Sequence, residues 1–159
     1  AGLPEGTAGV RETLKKMRAI VRASLTAPDM IVRNRALAIV RGLPSKDFQA
    51  ELVTVYNWVD REIRFVRDIR GLETLQSPQK TLEIGQGDCD DHAILMSALL
   101  ESLGFSTRFL AVGFAPGQFS HVLTQARLGA EWIPLETTVL GAYIGWYPPG
   151  VRASMVQPI

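Results

Sequence analysis

Apolar residues in the first half of the chain recur at helical spacing. Val10, Leu14, Met17, Val21 and Leu25 step by 4, 3, 4 and 4, which predicts one buried face of a helix. Arg11, Lys15, Lys16, Arg18 and Arg22 fall largely on its other faces. Pro28-Asp29 interrupts the pattern, and Asp29 is placed to cap a shorter helix carrying Ile31, Val32, Leu37, Ile39 and Val40. Gly42 and Pro44 end it. Asp47 opens a third helix with the stripe Phe48, Leu52, Val55, Val59 and Ile63, and 64–68 reads as its frayed exit, closing at Asp68. A polar loop over 68–77 ends at Ser77-Pro78, a cap followed by a first-turn proline. The short helix that follows stops near Gly85. Gly87-Asp88 then leads into a long helix over about 89–103, apolar at Ile94, Leu95, Ala98, Leu99 and Leu103 and stopped by Gly104.

Beyond Gly104 the period changes from 3.6 to 2. Strands are expected over 107–114, 120–126 and 131–136, with turns at 113–117 and at Leu128-Gly129. The tail around Trp146, Tyr147, Pro148 and Pro149 reads as packed irregular structure. Helices followed by a strand meander make an α+β fold.

Composition narrows the class. At 159 residues and 47% apolar the chain has material for one cored domain, which excludes a disordered tail protein. One cysteine excludes a disulfide framework and a Cys-rich zinc module. No run approaches the ~18 apolar residues of a membrane span, and no signal peptide is visible. The first residue is Ala1 rather than Met, so upstream residues are expected. The net charge of +1 conceals an asymmetry: residues 1–46 hold nine basic and three acidic side chains (+6), and residues 47–159 hold eight and thirteen (−5). The chain therefore divides into a basic helical segment, 1–46, packed on a core, 47–159, within a single domain.

Cys89 is the residue with chemistry to offer. It opens the long helix, where unpaired N–H groups and the helix dipole favour thiolate. The commoner role of a lone Cys is a small buried apolar residue. A thiolate nucleophile needs a base and an orienting group. A turn centred between Leu128 and Gly129 sets Ala126 opposite Glu131 and His121 opposite Glu136, within cross-strand reach on one face of the sheet. A bulge would undo that pairing, and Pro134 argues for an irregularity or an edge strand there. His92, three residues from Cys89, offers a competing metal reading with His121 and an acidic side chain, although a partly exposed helix residue is its simpler role. Asp88, Asp90 and Asp91 suit the first turn of a helix. They also suit a cation site or an acidic rim selecting basic substrates, and they oppose thiolate formation.

Several motifs together resemble the transglutaminase-like superfamily. They are Gly87-Asp88-Cys89-Asp90-Asp91-His92-Ala93, then Leu99-Leu100 with Leu103-Gly104-Phe105 and Arg108, Ser120-His121-Val122, and Trp132-Ile133-Pro134-Leu135-Glu136-Thr137-Thr138. The similarity runs over about 53–139, includes Tyr56-Asn57-Trp58-Val59 and Ile63-Arg64-Phe65, and is greatest to bacterial and phage transglutaminase-like cysteine peptidases. The resemblance implies a papain-like core, with N-terminal helices and a nucleophile helix packed on a small antiparallel sheet. It further implies Cys89 as nucleophile, His121 as base and Glu136 as the group that orients it. The family usually has Asp-Pro where this chain has Glu136-Thr137, and often an aromatic residue where it has Leu123. The Cys89 backbone N–H is the first oxyanion donor, with Gln86 and Gln79 as candidates for the second.

The implied activity is acyl transfer through a thioester. Hydrolysis of a peptide or glutamine carboxamide is favoured over transamidation, and the substrate is a protein or peptide. No cofactor is required; calcium at Asp88, Asp90 and Asp91 is a secondary option. The alternative is a non-catalytic assembly or binding module, for example in a phage particle, docking through its basic N-terminal helices. No aromatic residues interleave with those basic positions, which argues against nucleic acid, and no membrane partner is expected. A reactive thiol suits a reducing compartment, so a cytoplasmic or phage-associated location is expected.

Overall fold

The computed structural model describes residues 6–67 and 74–159. Asp68 and the start of the expected polar loop lie outside them. The described helices are α1 (Thr7–Leu25), α2 (Ile31–Ile39), α3 (Phe48–Glu62), α4 (Pro78–Ile84) and α5 (Cys89–Ser102). The described strands are β1 (Arg64–Phe65), β2 (Gln86–Gly87), β3 (Thr107–Gly113), β4 (His121–Leu128), β5 (Glu131–Leu135) and β6 (Ala153–Pro158).

The helical stripes largely do what their spacing demands. Val10, Leu14, Met17 and Val21 of α1 are buried. The stripe then ends at Ser24, whose hydroxyl donates to the Val21 carbonyl at 2.6 Å, while Leu25 is 37% exposed. Helix α2 buries only Val32 and Ala36, four apart, and leaves Ile31 and Leu37 exposed. Asp29 accepts the Ile31 N–H at 3.0 Å, although Met30, in the left-handed region, is the cap residue. Asp47 caps α3 through the Ala50 N–H at 3.1 Å. Leu52, Val55, Tyr56, Val59 and Ile63 are buried there, while Phe48 stays exposed and meets Phe105 edge-on at 6.2 Å. Ser77 caps α4 through the Lys80 N–H, and Gly85 ends it in the left-handed region.

Three expectations are corrected. The exit of α3 is not frayed: Arg64-Phe65 pairs in parallel with Gln86-Gly87, which lashes the end of α3 to the residues just before Cys89. Helix α5 has no solvent face over its first three turns. Every residue from Cys89 to Leu100 is buried, because α1, α2, α3 and α4 pack against it along with β3 and β4. The tail is not wholly irregular, since β6 pairs antiparallel with β3. Its alternating half-buried and exposed positions in Ala153–Pro158 are too polar and proline-bounded to read as a strand.

The four-stranded sheet has the order β5-β4-β3-β6. Strands β3, β4 and β5 form the expected antiparallel meander, and Pro134 sits in the edge strand β5. The register differs from the expected one. Leu128 pairs with Glu131, and Ala126 with Ile133 rather than Glu131. The turn lies at Gly129-Ala130, with Gly129 at φ 64°. Each residue of β4 therefore meets a partner two places further along. Glu136 follows the end of β5 and is not directly opposite His121.

Candidate active site

Cys89 is set in place by its neighbours' backbone chemistry. Asp88 accepts the Asp91 N–H at 3.1 Å, and Asp91 returns the bond to the Asp88 N–H at 3.1 Å. This reciprocal pair caps α5 at the residue before the cysteine. Asp91 also takes the Gln76 N–H at 2.8 Å and Gln76 Nε2 at 2.9 Å. Residue 87 must be glycine here, because a Cβ would stand 2.5 Å from Asp91 Cβ and 2.9 Å from Gln76 Nε2. Nothing in the sequence marks Gln76 as part of the site. It lies thirteen positions before Cys89 on a loop, and no periodicity marks it.

The thiol is 5% exposed. Its sulfur lies 3.6 Å from Asp90 Oδ1. Burial pushes the Cys89 thiol well up, the charges of Asp90 and Asp88 add to this, and a hydrogen bond at the Val122 backbone works against it. The direction is the reverse of the thiolate that a helix N-terminus alone predicts, because desolvation outweighs the dipole. Burial, then the charge of Asp88, pushes the Asp90 carboxyl up to about 8. Burial likewise takes Asp91 up to about 6, against the hydrogen bond from Gln76.

His121 opens β4, next to the Val122 backbone that the sulfur meets. Its Nε2 lies 2.6 Å from Glu136 Oε2. An ionised carboxylate only accepts, so Nε2 is the donor in this contact, and in a neutral ring that leaves the lone pair on Nδ1. Glu136 is 1% exposed. Its Oε1 accepts both the Thr138 N–H at 2.9 Å and the Thr138 hydroxyl at 2.7 Å. Its backbone carbonyl accepts the Tyr56 hydroxyl at 2.5 Å. Burial tends to raise the Glu136 carboxyl. The hydrogen bond and charge of His121 and the two Thr138 donors overcome this and hold it below the usual carboxylate range. Burial, then Asp60 and Glu136, pushes the Tyr56 hydroxyl up to about 12, so it remains a donor.

His92 is not the partly exposed residue expected from its spacing. It is 2% exposed, because α5 is enclosed on all sides. Its Nδ1 lies 2.8 Å from the Thr137 hydroxyl and its Nε2 3.4 Å from the Arg64 carbonyl, with Phe65 edge-on at 6.3 Å. Burial lowers its pKa. Both ring nitrogens are thus engaged by protein groups, which removes His92 as a metal ligand beside Cys89. Among the described residues, no three His, Cys, Asp or Glu side chains converge on a metal position. Gln86 lies exposed on β2, with its carbonyl accepting Gln76 Nε2 at 3.1 Å. Gln79 is half-buried in the first turn of α4. Leu123 is buried with Leu110 and Val112 in a small cluster of its own.

A sequence model of the transglutaminase-like superfamily matches residues 34–137. No curated protein matches the sequence significantly. Among solved structures, the fold is similar to a protease candidate from Parabacteroides distasonis (TM-score 0.61, 14% identity, 79% of this chain and 27% of that one). It is also similar to a cysteine protease candidate from Cytophaga hutchinsonii (0.59, 18%, 89% and 51%). Calcium-bound LapG from Legionella pneumophila is a third (0.56, 18%, 91% and 81%), and LapG has also been solved after EGTA treatment. The chain thus spans about a quarter and about half of the length of the first two. These likenesses establish a papain-like α+β fold of the transglutaminase-like kind.

Proposed function

Because the chain belongs to the transglutaminase-like superfamily, we propose that it is a thiol peptidase or amidase working through Cys89, His121 and Glu136. The observation that carries this reading is the 2.6 Å contact between His121 and the buried Glu136, on the strand whose Val122 backbone meets the Cys89 sulfur. In this reading Cys89 attacks the carbonyl carbon of a peptide bond or glutamine carboxamide. His121 Nδ1 takes the thiol proton, Nε2–H stays on Glu136, and the Cys89 backbone N–H, in the first turn of α5, supports the developing oxyanion. Collapse expels the amine, which leaves with the proton from His121, and a thioester remains. Water, deprotonated by His121, then releases the acid and restores the thiol. An amine in place of water gives transamidation; hydrolysis is the favoured outcome, on protein or peptide substrates.

Calcium has one specific observation in its favour: a calcium-bound form exists for LapG. Asp88 and Asp90 flank the thiol, and oxygen donors of this kind suit calcium. Buried Asp90, with its carboxyl pushed up to about 8, is a group that a bound cation would hold ionised. One oxygen of Asp88 is taken by the Asp91 N–H, and Asp91 is occupied by Gln76 and the Asp88 N–H, so the described carboxylates supply part of a shell rather than a complete one. Calcium here would order the turn before Cys89; no chemical step depends on it. Thermal melting with calcium and with EGTA tests this, and equal midpoints refute it.

The function itself is tested by alkylating Cys89 with iodoacetamide from pH 5 to 9. The expected result is labelling that His121→Ala slows at neutral pH. A thiol that labels only after denaturation, or one indifferent to His121, overturns the reading and favours an assembly module.

A further inference from the structure

Glu136 has no strand to hold it. It follows the last residue of β5, Leu135, so the sheet ladder does not set its orientation, and a glutamate side chain carries three rotatable bonds. Oε1 receives two donors from one residue, the Thr138 N–H at 2.9 Å and the Thr138 hydroxyl at 2.7 Å. A carboxylate oxygen has two lone-pair positions, and Thr138 fills both. Oε2 is then the oxygen turned to His121 Nε2, at 2.6 Å. The preceding residue, Thr137, ties the same turn to His92 on the nucleophile helix at 2.8 Å, and Tyr56 ties the Glu136 carbonyl to α3.

From this geometry we infer that Thr138 is a positioning residue: its hydroxyl and amide saturate Oε1 and thereby aim Oε2 at the imidazole, so that Glu136 and Thr138 act as one unit in fixing the His121 tautomer. The inference rests on the triad reading above, because a fixed tautomer has value only if His121 Nδ1 serves the thiol. The role is invisible in the sequence, since a Thr two places after an acid at a strand end is ordinary turn chemistry. The assignment depends on both bonds reaching the same oxygen. Had the hydroxyl and the amide divided between the two oxygens, Thr138 would compete with His121 instead of directing it.

The test uses the intact chain and three variants. Thr138→Val keeps the shape and the backbone N–H and removes the hydroxyl donor, Thr138→Ser keeps the hydroxyl, and His121→Ala assigns the imidazole signals. In 15N-labelled protein, His121 is expected in the Nε2–H tautomer. Thr138→Val should raise the Nδ1–H fraction and slow alkylation of Cys89 at pH 7.5 roughly tenfold, the effect of one hydrogen bond to a charged group. Thr138→Ser should restore both. If Thr138→Val does not fold, Thr138→Ala is compared with Thr138→Ser in its place. An unchanged tautomer in the Val variant, or a Ser variant as impaired as Val, overturns the proposal. Alkylation indifferent to His121→Ala overturns the triad reading instead, and the tautomer measurement still decides the role of Thr138.

Discussion

The interaction with the widest structural reach at the site is the one around Asp91, and its removal gives a quantitative test. In Asp91→Ala three donors lose their acceptor: the Asp88 N–H, the Gln76 N–H and Gln76 Nε2. Nε2 retains the Gln86 carbonyl at 3.1 Å, so its loss is small. The Asp88 side chain keeps the amide of residue 91, and loss of the return bond to the Asp88 N–H costs about 1 kcal/mol. The Gln76 N–H, left without its charged partner, costs about 1.5–3 kcal/mol. Part is returned, because burial already opposes the charge of Asp91, whose carboxyl stands at about 6. The net expectation is about 3 kcal/mol, or a fall of about 6–12 °C in melting temperature for a chain of this size. Urea unfolding at pH 7.5 measures the first quantity and calorimetry the second. Amide exchange at Gln76 should accelerate by more than the global change accounts for, since this loop is anchored through Asp91. A loss below about 0.5 kcal/mol, within the range of ordinary surface substitutions, with exchange at Gln76 unaltered, would refute the reasoning.

Further outcomes follow from the same geometry. Glu136→Gln presents an amide N–H to His121 Nε2 and forces the other tautomer. Acylation by a p-nitrophenyl ester should drop by about 10³–10⁴-fold, as carboxylate-to-amide changes do in such triads, and a loss under tenfold removes Glu136 from this role. The Glu136 carboxyl is held below its unfolded value of about 4.3. Its contribution to stability is therefore complete above pH ~4.3 and lost as pH falls through the folded value. The urea stabilities of wild type and Glu136→Gln should converge over that acid range, and a constant difference refutes the linkage. At Gly113 a Cβ would stand 1.4 Å from the Gln118 carbonyl oxygen. Gly113→Ala should lose about 3 kcal/mol, the upper end for overpacking, or fail to accumulate as folded protein; near-wild-type unfolding contradicts the close approach.

Much of the fold is legible in the chain because helical stripes and caps are local. Val10-Leu14-Met17-Val21, Asp47 and Ser77-Pro78 each act through neighbours within a few residues. Features that depend on what lies across the core are not legible. His92 looks like a surface residue by its spacing and is buried because four helices and the sheet enclose α5. The pairing of Arg64-Phe65 with Gln86-Gly87 joins segments more than twenty residues apart through two residues each, too short a run for any period. The hairpin register is an intermediate case. Placing the turn at Leu128-Gly129 rather than Gly129-Ala130 moved every partner by two. Since side chains alternate with period 2, a shift of two leaves each on its own face. His121 and Glu136 still meet because the longer glutamate side chain and the turn held by Thr138 span the offset. A shift of one would have separated them.

The thiol is where local and global physics disagree. A helix N-terminus favours an anion by about 0.3–1 kcal/mol, and by up to ~2 in partly buried settings. Desolvation of a fully buried group can shift its pKa by up to ~3–5 units, at about 1.4 kcal/mol per unit. The first effect cannot offset the second, and for Cys89 the charges of Asp90 and Asp88 add to burial. On the proposed mechanism Cys89 thus rests as the neutral thiol, the direction in which burial pushes it, and its proton leaves as the carbon–sulfur bond forms. A preformed thiolate–imidazolium pair would have no proton in flight at that step. Acylation of Cys89 should accordingly show a normal solvent deuterium isotope effect that disappears in His121→Ala. An effect of unity or below in the wild type would mean that the thiolate exists before substrate arrives and that burial is relieved in the free protein.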